Sequence, residues 1–150
     1  AAAFARVEPT LSAMGRPVHV GPTGSGQLSK LANQAIVAVT IGVVAEAMLL
    51  LERGGADPAA VRNALQGGFA DSVILQQHGA RMTTGDFNPG GLSKLQLKDL
   101  DNVLHEAGSL GLALPEVQSV RDRFKHFVEI MDGAEKDHSG LYLELVARQS

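Results

Sequence analysis

The sequence contains no cysteine and no tryptophan, and only 4% of its residues are aromatic. Without cysteine, disulfide bonds and thiolate metal sites are excluded, which is compatible with a reducing compartment. We therefore expect a cytoplasmic protein. An excess of positive charge is also missing, because 13 Lys and Arg stand against 16 Asp and Glu. A nucleic-acid partner is accordingly not expected.

Targeting and membrane signals are scarce as well. The first six residues lack the basic start and the apolar stretch of a secretory leader. The longest apolar run, residues 35–51, falls short of the roughly 18 residues that a membrane span needs, and it contains Glu46. We expect no membrane partner.

The remaining composition is typical of one folded domain, with 45% hydrophobic and 19% charged residues in a chain of 150. Apolar residues recur at helical spacing almost throughout, and Phe69 and Phe87 are expected in the core. The pattern predicts an all-α domain over residues 21–150, with about six helices around one long central helix. The predicted helices are residues 27–53, 58–66, 72–77 (with a possible extension to 82), 92–110, 115–131 and a last short one around 141–146.

The first twenty residues have a different pattern. Residues 4–14 have a helical repeat, and residues 16–20 are predicted to form a short strand. A single strand cannot form a sheet. We therefore interpret residues 1–20 as a remnant of a preceding α/β domain.

A glycine-rich bend, Gly21 to Gly26, opens into the long apolar helix, which carries Lys30, Asn33 and Gln34 on one face. Three interpretations are open: a catalytic lysine, a phosphate-binding loop or an ordinary helix start. A Walker A loop needs Lys and then Ser or Thr directly after its last glycine, and the dinucleotide fingerprint needs G-x-G-x-x-G. Neither pattern is present.

The surroundings of Lys30 favour chemistry. Its neighbours on the helix are apolar, so we expect its side chain to lie in a cleft. Partial desolvation would make the amine usable as a general acid or base near neutral pH.

The order of motifs along the chain resembles the substrate domain of the β-hydroxyacid dehydrogenases, the 3-hydroxyisobutyrate dehydrogenase family. The resemblance covers nearly the whole chain and is closest to its tartronate semialdehyde reductase branch. The matching segments are Gly21-x-x-Gly24-x-Gly26-x-x-x-Lys30-x-x-Asn33 and residues 54–58, 67–70, 74–75, 78–82, 87–90, 98–100 and 137–139.

The resemblance implies a two-domain enzyme. An N-terminal Rossmann domain would bind NAD or NADP, and a helical domain like that of 6-phosphogluconate dehydrogenase would complete the site and drive assembly. Lys30 would be the catalytic acid or base, Asn33 and Gln34 would bind substrate, and Lys98 would close over the cofactor. From its residue type alone, Lys98 would be interpreted as a surface lysine, because lysines are mostly exposed. Asp99 is interpreted as a polar contact on the helix face or between domains.

The implied substrate is a small hydroxy or oxo acid, with tartronate semialdehyde and glycerate favoured. The alternatives are a 3-hydroxyisobutyrate or related short-acid dehydrogenase and, in another class, a non-catalytic helical dimerisation module. We expect the chain alone to be inactive and to bind cofactor weakly. We also expect a homodimer or tetramer, with the apolar helix from Ile36 to Leu51 covered by another subunit or by neighbouring helices. The five histidines lack metal-binding spacing, so no metal site is predicted.

Overall fold

A computed structural model describes residues 2–149, and all regular structure in that range is helical. The all-α prediction is confirmed, and residues 21–149 contain six α-helices. The elements are α1 (Ala2–Ser12), α2 (Ser25–Arg53), α3 (Pro58–Ala64), α4 (Val73–Thr84), α5 (Ser93–Ser109), α6 (Pro115–Glu129), a 3-10 turn (His138–Gly140) and α7 (Leu141–Arg148).

Two helix starts follow directly from local sequence. The Asp57 carboxylate accepts hydrogen bonds from the backbone amides of Ala59 (2.9 Å) and Ala60 (3.2 Å), ahead of a proline in the first turn. The Ser72 hydroxyl accepts from the amide of Leu75 at 2.9 Å. Each side chain satisfies amide groups that have no partner within their helix, so these residues fix where α3 and α4 begin.

Helix α2, 29 residues long, is the axis of the fold. Helices α4, α5, α6 and α7 all pack against it. Its buried side is formed by Ala38, Ile41, Gly42, Val44, Ala45, Met48 and Leu49. Length and hydropathy alone would also allow α2 to cross a membrane, but its inward side is the core on which the other helices lie.

The opposite side of α2 is open. Ile36, Val43 and Leu50 are 66%, 57% and 73% exposed, and they recur about every seven residues along the helix. We call these three residues the open row. The expected burial of α2 is thus confirmed on one side, and no other part of residues 2–149 covers the open row.

The core is closed by α6 and α7. Phe124, Phe127 and Leu141 are fully buried against α2. The buried Arg123 guanidinium joins three helices, because it lies 3.2 Å from the Glu144 carboxylate on α7 and 3.0 Å from Glu46 on α2. A buried charge is tolerated when it is paired in this way.

Two details differ from expectation. Phe87 does pack against the core, but Phe69 is fully exposed on the loop between α3 and α4. The glycines before Phe69 place the loop at the surface, so the Phe69 side chain does not reach the core. The expectation that Phe69 belongs to the core was wrong.

The strand expected at residues 16–20 is also absent. The segment has no regular secondary structure, and no strand is present among residues 2–149 to pair with it. Helix α1 has no buried residue, and Phe4 makes an edge contact with His19 at a ring distance of 5.3 Å. The N-terminal segment therefore packs mainly on itself.

Close packing around Phe127 generates a prediction. A Cβ added at Gly133 would lie 2.6 Å from the Phe127 ring, which is fully buried and cannot move aside. Gly133→Ala should lower the free energy of unfolding by about 1–3 kcal/mol through overpacking. At Gly108, in α5, a Cβ would meet nothing within 4 Å. The control Gly108→Ala should raise stability by about 0.5–1 kcal/mol. Urea unfolding of both variants checks the pair, and equal midpoints would contradict it.

Candidate active site

The glycine-rich bend builds the start of α2. Gly24 precedes the helix in the left-handed region, at φ 97°. Gly21 has φ 149°, and a Cβ there would lie 2.5 Å from the Ser25 hydroxyl. Both positions suit only glycine for steric reasons. The geometry of the helix start thus accounts for the two glycines.

Lys30 lies in the first two turns of α2, and its side chain is exposed. It makes no hydrogen bond or ion pair with any residue in the range 2–149. The expectation that Lys30 lies in a cleft was wrong for this chain: of its apolar neighbours Leu31 packs against the core, but Leu28 and Ala32 are exposed, as Lys30 is. Any shielding of the amine must come from outside the described residues.

The other predicted site residues are joined by hydrogen bonds. Gln34 Nε2 donates to Asp99 Oδ2 at 2.6 Å, and Asn33 Nδ2 donates to Gln34 Oε1 at 3.0 Å. Lys98 Nζ lies 3.2 Å from Asp99 Oδ1. We call Asn33, Gln34, Lys98 and Asp99 the site network. It connects α2 to α5 one helical turn beyond Lys30.

Sequence reasoning placed Lys98 and Gln34 in one site only through the resemblance. The structure brings them together through Asp99, which was interpreted as a polar contact on the helix face or between domains. Their separation along the chain leaves no local signal for this contact. The one local signal was that Lys98 and Asp99 are neighbours in the sequence, which suggests an ion pair but not its contact with Gln34.

The position of α5 is set by the chain segment before the 3-10 turn. Leu92 precedes α5 and offers no capping side chain. Instead the Ser93 amide donates to the Lys136 carbonyl (2.9 Å) and the Lys94 amide to the Ala134 carbonyl (3.2 Å). These bonds satisfy amides that the helix leaves unpaired, and they fix where α5 begins.

Asp137 holds this arrangement together. Its fully buried carboxylate accepts hydrogen bonds from the amides of Gly90 (2.9 Å) and Gly91 (3.0 Å), and from the amide (3.0 Å) and hydroxyl (2.6 Å) of Ser139. Burial alone would raise the pKa of Asp137, but these hydrogen bonds outweigh it and lower the pKa to about 2. We call these four contacts the Asp137 clamp.

Two histidines flank the clamp. The rings of His78 and His138 meet edge to face at 4.6 Å, and His78 Nδ1 lies 3.6 Å from Asp137 Oδ1, too far for a hydrogen bond. Burial and the neighbouring His138 lower the pKa of His78 to about 4. Both rings are thus neutral near pH 7, since burial also lowers the pKa of His138.

The same three side chains are the one group among residues 2–149 whose ligand atoms could surround a metal ion, lying within 4.8 Å of one another. Sequence spacing missed it, because His78 and His138 meet only in the fold. However, four donors of the chain already occupy the acceptor positions of the Asp137 carboxylate. This donor set suits a structural clamp better than a metal, and the absence of a metal site stays a prediction.

Gln96 connects the clamp to the site network. Its buried side chain donates from Nε2 to the Gln34 backbone carbonyl at 3.4 Å, and its oxygen lies 3.4 Å from His138 Nδ1. Clamp, α5 and α2 are therefore linked through polar contacts. Gln96 had no part in the sequence prediction.

Known proteins resemble the chain over most of its length. Residues 24–145 match the family described as "NAD-binding of NADP-dependent 3-hydroxyisobutyrate dehydrogenase". The 2-hydroxy-3-oxopropionate reductase of Escherichia coli (strain K12) is 44% identical over 97% of the chain and 51% of the relative. The 2-(hydroxymethyl)glutarate dehydrogenase of Eubacterium barkeri is 31% identical over 73% of the chain and 37% of the relative.

Solved structures agree in fold. The 3-hydroxyisobutyrate dehydrogenase of Mycobacterium tuberculosis, solved with L-serine, has a TM-score of 0.85 and 25% identity over 96% of this chain and 52% of that one. The enzyme of the same name from Salmonella typhimurium gives the same score and identity over 95% and 50%. The chain spans about half the length of these relatives or less.

The buried histidine generates a pH prediction. Between pH 6.5 and 4 the unfolded chain binds a proton at His78 that the folded chain does not, so acidification favours unfolding. The free energy of unfolding should fall by up to about 3 kcal/mol across this window. Asp137 adds its own loss only below its ordinary pKa of 3.8, as pH falls towards 2.

His78→Asn should flatten this slope, and His105→Asn, which removes an exposed histidine on α5, should leave it unchanged. Urea unfolding at half-unit steps between pH 4 and 6.5 measures both. Parallel slopes for His78→Asn and the unchanged chain would show that His78 is not the group responsible.

Proposed function

The chain belongs to the family of NADP-dependent 3-hydroxyisobutyrate dehydrogenases, and from that premise we propose that the complete protein is an NAD(P)-dependent reductase of a small hydroxy or oxo acid. This chain supplies the helical part of its active site. The observation that carries the proposal is the gathering of Lys30 and the site network at the same ends of α2 and α5.

The chemistry of these side chains suits a short anionic substrate. Lys30 and Lys98 bring two ammonium groups, and Asn33 adds amide hydrogens that face solvent. Only one carboxylate of the network, Asp99, opposes them, and it is paired with Lys98 and Gln34. An oxo acid with one carboxylate meets complementary charge and hydrogen bonds here.

Lys30 is proposed as the proton donor to the substrate carbonyl oxygen during reduction and the acceptor during oxidation. The nicotinamide cofactor supplies the hydride for the carbonyl carbon. Without a donor, the oxygen would be left as an alkoxide, so a positioned ammonium lowers the barrier. Lys30 has no competing partner in the range 2–149, which leaves its protons available.

Lys98 is proposed to contact the cofactor. Its side chain is 64% exposed, and only Asp99 pairs with it. A mobile ammonium of this kind suits the phosphates of a dinucleotide. Most contacts to NAD or NADP are expected from a preceding Rossmann domain, to which residues 1–20 are assigned in this proposal. The exposed α1 and its extended tail provide a surface for that domain.

The favoured substrate is 2-hydroxy-3-oxopropionate, also called tartronate semialdehyde, because the 44% identical relative carries that name. A 3-hydroxyisobutyrate or related short-acid dehydrogenase is the alternative, supported by the structures of that name. L-Serine, present in one of them, is itself a 3-hydroxy acid. A non-catalytic dimerisation module is the alternative of another class.

A homodimer is proposed through the open row of α2. The row presents three large apolar side chains to water at heptad-like spacing, and apolar surface of this kind marks an interface. The row lies along the later turns of α2, beyond Lys30 and the site network. Assembly and chemistry would therefore use different parts of one helix.

Replacing the proposed acid tests the activity. In the complete protein, Lys30→Ala should lower kcat/KM for 2-hydroxy-3-oxopropionate about 10²–10⁴-fold while the melting temperature is unchanged, because the side chain makes no contact that stabilises the fold. Lys125→Ala, an exposed lysine on α6, is the matched control and should keep full activity. Undiminished turnover of Lys30→Ala with an intact fold would show that Lys30 is not the acid, and a complete, folded protein without turnover would favour the non-catalytic module.

Assembly can be tested in the chain itself. Sedimentation velocity should show a dimer at micromolar concentration, and Val43→Glu should give a monomer because it places a charge in the open row. Val73→Glu is the control, since Val73 on α4 is 70% exposed but lies outside the row. If the unchanged chain is a monomer at high concentration, the proposed homodimer is wrong.

A further inference from the structure

The carboxamide of Gln34 has a defined orientation. Its nitrogen donates to Asp99 Oδ2 at 2.6 Å. A carboxylate can only accept hydrogen bonds, so the nitrogen must face Asp99 and the oxygen must face away from it. That oxygen accepts from Asn33 Nδ2 at 3.0 Å, on the exposed side of α2. No other residue in the range 2–149 donates to it, and one of its lone pairs is open.

Asp99 is itself held in place. Its second oxygen pairs with Lys98 Nζ at 3.2 Å, and its side chain is only 20% exposed. The helix that carries it is fixed at its start by the Asp137 clamp and joined to α2 through Gln96. The direction of the Gln34 amide is therefore imposed by a neighbour that has little freedom to move.

We propose that Asp99 is a positioning residue that sets substrate specificity, because it fixes Gln34 with its oxygen towards the ligand. Position 34 then accepts a hydrogen from a substrate hydroxyl and repels a carboxylate. The substrate carboxylate is left to donors such as the free amide hydrogen of Asn33, and Lys30 serves the carbonyl oxygen. The inference rests on the proposed function and assigns its substrate class: short acids with a hydroxyl group next to the reacting aldehyde.

The 2-hydroxyl of 2-hydroxy-3-oxopropionate meets this requirement, whereas 3-oxopropanoate, which lacks it, does not. A site that accepts a hydroxyl hydrogen discriminates against the analogue without one, because its oxygen is left unpaired. We expect the unchanged complete protein to prefer the hydroxylated aldehyde in kcat/KM by about tenfold or more.

Asp99→Asn tests the role of the carboxylate in the complete protein. An amide at position 99 can donate or accept, so the Gln34 carboxamide can flip. The preference for the hydroxylated aldehyde in kcat/KM should then fall about tenfold. Asp101→Asn is the matched control: it removes a carboxylate two residues further along α5, where Asp101 pairs with Arg121 at 2.7 Å. This control should keep the preference. Melting temperatures verify that both variants fold.

A double variant separates the orientation of the side chain at position 34 from a general structural effect of changing Asp99. Gln34→Glu combined with Asp99→Asn reverses the donor and the acceptor, keeps the net charge of the pair, and again leaves an oxygen of position 34 facing the ligand. The preference should recover in this double variant. If it stays as low as in Asp99→Asn alone, the orientation mechanism is overturned.

The amide signals of Gln34 in 15N-labelled chain report the orientation without any turnover. Asp99→Asn should shift them, and Asp101→Asn should not. If the signals shift as expected but the unchanged protein reduces neither aldehyde, the proposed function fails and the specificity role fails with it, while the orientation stands. If the signals are unmoved, or the preference survives Asp99→Asn in an active protein, the inference itself is wrong.

Discussion

The hydrogen bonds that the buried Asp137 carboxylate accepts are the constraint on which the candidate site depends. They tie the residues before α5 to the residues before α7, so that neither segment can shift alone. Helix α5 starts where backbone carbonyls of this second segment receive its amides, without a capping side chain of its own. The place of Asp99, and through it the direction of the Gln34 amide, follows from a contact made some distance along the chain.

The two sides of helix α2 have different surroundings. One side is the axis of the core, where Arg123 joins it to α6 and α7. The opposite side carries the open row along the later turns, and near the start of the helix Gln34 contacts Asp99 on α5. A single helix thus combines the amides of the site network, the centre of the bundle and an uncovered apolar surface, which explains why its sequence is apolar almost all round.

The sequence was sufficient where structure is decided locally. Asp57 and Ser72 cap the helices they were expected to start, and the glycines at 54, 67 and 111 lie just beyond helices. Prediction from the sequence failed where the structure depends on contact with a second element. Residues 16–20 have strand-like composition but find no partner strand among the described residues 2–149. Phe69 is apolar but lies on a surface loop, and Lys30 has apolar neighbours yet points outward. The Gln34–Asp99 bond and the meeting of His78 with His138 depend on how helices pack, which no local pattern encodes.

The exposure of Lys30 has a consequence for turnover. An amine in open water exchanges its protons with the buffer within a fraction of a catalytic cycle. In an enzyme that uses Lys30 as its acid, no internal chain of proton carriers is needed to recharge that acid. Recharging would then draw on bulk solvent whenever Lys30 is as exposed as it is in this chain.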